Sequence, residues 1–102
     1  MKKFIAERKL IYALKGSDIK NEFLIGICNP FKKKFNTEDV INAADFYGCL
    51  VEFSGLDEQG EIVYGADSLQ AINIASDVEV LLMRLSKKYD FFWSSGEPYF
   101  DE

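Results

Sequence analysis

The sequence predicts an α+β domain, an antiparallel sheet of four to five strands in two hairpins with one long amphipathic helix packed on one face. Three observations predict it. Two pairs of apolar runs with period-two character are each joined by a short polar loop containing glycine, at 15–21 and 57–60. One stretch, 68–88, carries an apolar stripe at i, i+3, i+4, i+7 spacing. A chain of 102 residues has length for one core and not for two, so 1–102 reads as a single domain.

The elements follow in order. In "FIAERKLIYAL" (4–14), Phe4, Ala6, Leu10, Tyr12 and Leu14 share one side and Glu7 and Lys9 the other, a half-buried strand interrupted by Arg8. "KGSDIKN" supplies turn residues, and "EFLIGIC" (22–28) sets Phe23, Ile25 and Ile27 on one face. Pro30 stops that strand. "FKKKF" (31–35) puts Lys32, Lys33 and Lys34 between two phenylalanines and reads as a solvated loop. "NTEDVINAADF" (36–46) has the start of a short helix, with Asn36 or Thr37 as its cap. "CLVEFSGL" and "EIVYGA" flank Asp57-Glu58-Gln59-Gly60, a good turn sequence, with Cys49, Val51 and Phe53 on one face.

In the helix, Ala71, Ile74, Ala75, Val78, Leu81, Leu82 and Leu85 form the apolar stripe, widened by Ile72 and Met83. Asp67, Asp77 and Glu79 lie toward its N-terminal end and Arg84, Lys87 and Lys88 toward the other, complementing the helix dipole. "DFFW" is a last short strand, and "SSGEPYFDE" a tail with two aromatics and an acidic finish.

Asp67-Ser68-Leu69-Gln70 fits a capping box, in which a short polar side chain at the helix start accepts from an amide three residues on and Gln70 reaches back. Gly65 lets the chain turn between strand and helix. Gly-x-Asp-Ser-Leu also resembles the site at which acyl carrier proteins hold phosphopantetheine. Those proteins are helical bundles, and here hairpins precede Ser68, so helix capping is the reading adopted.

"GCLVEFSGL" and "YGADSLQAI" carry a second resemblance, to a family of small, uncharacterised bacterial single-domain proteins. Its shared core is a strand ending in Gly-Leu, then Gly-x-Asp-Ser-Leu-Gln-Ala at a helix start. Gly55, Leu56, Gly65, Asp67, Ser68, Leu69, Gln70 and Ala71 match, within residues 48–85. The resemblance implies an α+β domain and no activity.

Composition bounds the function. The formal charge of −5 argues against a direct nucleic-acid ligand and favours docking on something basic. There is no histidine, which removes Ser-His and Cys-His mechanisms and the commonest metal ligand. Cys28 and Cys49 read as small hydrophobes in a reducing compartment. No apolar run nears the ~18 residues of a membrane span, and Glu7, Arg8 and Lys9 stand where a signal peptide needs apolar residues. The expected setting is the cytoplasm, with no membrane partner, cofactor or metal.

The expectation is a non-enzymatic protein-binding module, an immunity protein that neutralises a basic bacterial toxin such as a nuclease. Aromatic residues make up 15%, a high share, which places some rings at a surface meant for a partner. The binding candidates are Asp57, Glu58 and Glu61 in the turn, and Trp93, Tyr99, Phe100, Asp101 and Glu102 at the end. A self-associating domain, with a homodimer through the wide helix face, is the alternative, and a carrier-like protein the third reading.

Overall fold

The computed structural model describes residues 3–33 and 46–100. Lys34, the expected helix start at 36–45, Asp101 and Glu102 lie outside the described residues. The strands are β1 (Ala6–Leu14), β2 (Asn21–Ile27), β3 (Phe31–Lys33), β4 (Phe46–Ser54), β5 (Glu61–Gly65) and β6 (Tyr89–Phe92), with helices α1 (Ser68–Ala75) and α2 (Glu79–Leu85) between β5 and β6. All pairings are antiparallel.

Register fixes the layout. Tyr47 and Gly48 of β4 pair with both β3 and β5, and Val51 pairs with both β2 and β5. β2 and β3 therefore share one edge of β4, and β5 holds the other. From Ile27 to Phe31 is four steps while their partners, Val51 and Gly48, are three apart. β2 and β3 are thus one strand broken by a one-residue bulge at the Cys28–Pro30 corner. The spatial order is β5, β4, β2/β3, β1, β6. "FKKKF" is accordingly not a loop at its start. Phe31 to Lys33 pair with β4, and the Phe31 ring covers Gly48, where an added Cβ would meet it at 2.4 Å.

Both hairpins form as expected, and the alternating residues enter the core: Phe23, Ile25 and Ile27 from β2, Cys49, Val51 and Phe53 from β4. β1 departs from its reading. Leu10 is fully buried, but Leu14 is 51% exposed and Ala13, on the opposite face, is buried. Leu14 is the last residue of β1, paired with Tyr89 at the start of β6.

The expected helix over 68–88 is bent, and it ends at Leu85. The cause is local. The Ser76 hydroxyl donates to the Asn73 carbonyl at 2.8 Å, the acceptor that the Asp77 amide would use in an unbroken helix, and Asp77 N–H turns to Ile74 at 3.2 Å. Ser86 repeats the device on the Met83 carbonyl at 2.5 Å and closes α2.

The bend changes which residues face the sheet. Ala71, Ala75, Val78, Leu81 and Leu82 are buried, whereas Ile74 is 43% and Met83 54% exposed. α1 lies on the sheet through two alanines, and this close approach explains Gly65. A Cβ there would come within 2.5 Å of the Ala71 nitrogen. Gly65 has no positive φ, so packing rather than turn geometry requires it.

The N-cap is Asp67, whose carboxylate accepts from Gln70 N–H at 2.8 Å. Gln70 Oε1 reaches back to Ala66 N–H at 2.5 Å, one residue earlier than a capping box requires. Ser68 is the first helical residue and not the cap.

Candidate functional site

After β6 the chain turns back on itself. Gly96 N–H donates to the Trp93 carbonyl and Trp93 N–H to the Glu97 carbonyl, each at 2.8 Å. Phe92 bridges to Pro98, and Tyr99 N–H donates to the Phe91 carbonyl at 2.9 Å. The tail thereby runs along the outer edge of β6 and delivers Tyr99 to α2.

There Tyr99 enters a four-residue cluster. Its hydroxyl donates to Glu79 Oε1 in the first turn of α2, and Arg8 Nη1 donates to the same hydroxyl at 2.5 Å and to Glu79 Oε1 at 3.0 Å. The Trp93 ring lies 4.7 Å from the Tyr99 ring, and the Arg8 guanidinium stands 5.5 Å from the Trp93 centroid and 5.9 Å from that of Tyr99. Phe100 meets Tyr99 edge-on at 4.9 Å and packs against the core. The Tyr99 hydroxyl foremost, then the Glu79 backbone amide and Arg8, hold the Glu79 carboxyl below the usual glutamate range. Burial, then hydrogen bonding to Glu79, raises the Tyr99 phenol. Trp93 stays 41% exposed, a fixed ring on the surface. Next along the tail and β6, a groove of mixed character is lined by the apolar Met83, Phe92, Pro98 and Phe100 and by the ion-paired Lys15 and Asp90.

The turn acids are placed differently. Glu58 accepts from Lys88 Nζ at 2.9 Å and from the Tyr89 hydroxyl at 2.6 Å, which together, Tyr89 foremost, lower its pKa. Glu61 accepts from Arg84 at 3.0 Å. Asp57 is exposed, with no side-chain partner among the described residues. Glu61 therefore ties the second hairpin to α2, Glu58 ties it to the start of β6 and the residue before it, and both charges are locally balanced. The structure does not bring the turn acids and the tail aromatics together. Glu61 meets the end of α2 and Glu58 the residues that follow it, while Tyr99 meets its start.

Sequence reasoning missed Arg8 and Glu79. The signal was present: a cation in the inward-facing row of a strand needs a carboxylate, and Glu79 opens a helix turn. It also missed the exposure of Ile62 and Tyr64 on β5, at 44% and 45%. Lys33 stands 5.8 Å from the Tyr64 ring. Among the described residues no three or more metal-ligating side chains gather, and no helix is long and apolar enough to cross a membrane.

No protein-family model, curated protein or solved structure matches this chain. The family resemblance stands on the strand-to-helix motif alone.

Proposed function

We propose that the protein is a binding module without catalytic activity, an immunity protein that docks on and neutralises a bacterial toxin domain. The observation that supports it is the Arg8–Trp93–Tyr99 cluster. Trp, Tyr and Arg are the residue types that dominate binding energies at protein interfaces. Here Arg8 and Tyr99 are hydrogen-bonded to each other, and the Trp93 ring packs against both at the surface. A ring held in position before association loses little freedom on binding. The chain's charge of −5 favours a basic partner, with steering over the ~8 Å screening length of physiological salt. Asp57 and Glu97 are exposed acids suited to that role.

The test is binding and protection against the toxin domain encoded beside this protein's gene. Trp93→Ala is expected to speed dissociation, and Asp57→Asn to slow association at low salt only. Asp57 is preferred over the paired Glu58 and Glu61, whose replacement also breaks contacts to Lys88 and Arg84. A neighbouring product that is harmless, or that does not bind, refutes the reading.

A further inference from the structure

The free edges of the sheet are guarded unequally. β6 is covered by the tail through the Phe92–Pro98 bridge and the Tyr99–Phe91 hydrogen bond. The outer side of β3 is three residues long and presents two lysines, a common guard against edge pairing. β5 has five residues, the length of an ordinary strand, with no proline, no lysine and no covering segment among the described residues. Its outward side chains, Ile62 and Tyr64, are large, apolar and nearly half exposed.

We propose that two copies of this chain associate through β5, antiparallel about a two-fold axis at Val63. In that register Ile62 meets the other copy's Tyr64, Tyr64 meets Ile62, and Glu61 meets Gly65. Both exposed apolar residues gain an aromatic–aliphatic partner, a favourable cross-strand pairing. Electrostatics leaves this edge open to such a pairing. Two bodies each of charge −5 repel, so a seam between them must itself be close to neutral. The only ionised side chain of β5, Glu61, is already matched by Arg84 at 3.0 Å. The pairing buries less than the ~1,200–2,000 Å² of a standard interface, so the dimer is weak and concentration-dependent. It rests on β5, not on the tail cluster, and stands apart from the toxin-binding reading.

The experiment is light scattering with sedimentation equilibrium on the isolated protein over a wide dilution series, with circular dichroism to verify folding. Wild type is expected to move from 11.7 kDa toward twice that mass as concentration rises. Ile62→Asp with Tyr64→Asp places like charges opposite each other twice and is expected to raise the dissociation constant about tenfold or more. Ile62→Lys with Tyr64→Asp sets opposite charges at the same two positions and is expected to restore the dimer. A monomer at every concentration overturns the proposal. So does a dimer indifferent to the two aspartates, or a Lys/Asp variant as weak as the Asp/Asp one.

Discussion

Arg8 donates to the hydroxyl of Tyr99 at 2.5 Å, joining the first strand to the tail across 91 positions of sequence. Glu79 completes the contact from the helix. Three segments thus share one polar junction at the rim of the core, which adds side-chain contacts to the backbone bonds that hold the tail on β6.

Tyr99→Phe removes the hydroxyl and leaves the ring. A hydrogen bond to a charged group contributes about 1.5–3 kcal/mol, and solvent screening brings it below that range here because Arg8 and Glu79 are 40% and 50% exposed. The expected outcome is a loss of about 1 kcal/mol in urea unfolding. Trp93, the one tryptophan, reports the looser tail by altered fluorescence while far-ultraviolet circular dichroism is retained.

The same junction has a pH dependence of defined sign. The Glu79 carboxyl is lowered in the fold, chiefly by Tyr99, so its contribution is complete above the ordinary glutamate pKa of ~4.3 and is lost as pH falls through the lower folded value. The Tyr99 phenol is raised, chiefly by burial, so its contribution is complete below ~10 and is lost as pH rises through the raised value. Trp93 fluorescence should hold a plateau between these limits and change at both ends. Tyr99→Phe should abolish the alkaline change attributable to this phenol, and a wild-type signal flat through both ends refutes the coupling.

The helix start offers a comparison of neighbours. Asp67→Ala deletes the cap and is expected to cost about 0.5–2 kcal/mol. Ser68→Ala should stay within about 0.5 kcal/mol, as for substitutions that remove no special feature. Equal losses in denaturant titration would contradict the assignment of the cap.

Packing under α1 is tested at Gly65. Gly65→Ala pushes a methyl group toward the Ala71 nitrogen, and overpacking of this kind costs about 1–3 kcal/mol. Along the helix, Leu82→Ala at a fully buried site should cost about 2–5 kcal/mol, and Ile74→Ala close to nothing. The order of midpoints in urea decides both.

Period-two runs and a helical stripe were sufficient for two hairpins, the inward faces of β2 and β4, and an α+β fold, because those patterns follow from local backbone geometry and the need to bury apolar residues. The bend of the helix depended on whether Ser76 would take a carbonyl from the backbone. The inward place of Ala71 and Ala75 over Ile74 depended on how close the helix could come at Gly65. The candidate site was legible in parts. Trp93, Tyr99 and Phe100 stood out as aromatics near an end, but Arg8 read as a flaw in a strand and Glu79 as a dipole charge. Only the folded chain, by running the tail back along β6, turned them into one junction. The pairing of Glu58 with Lys88 and of Glu61 with Arg84 was equally out of reach, since an ion pair depends on a distance between elements that no one-dimensional pattern contains.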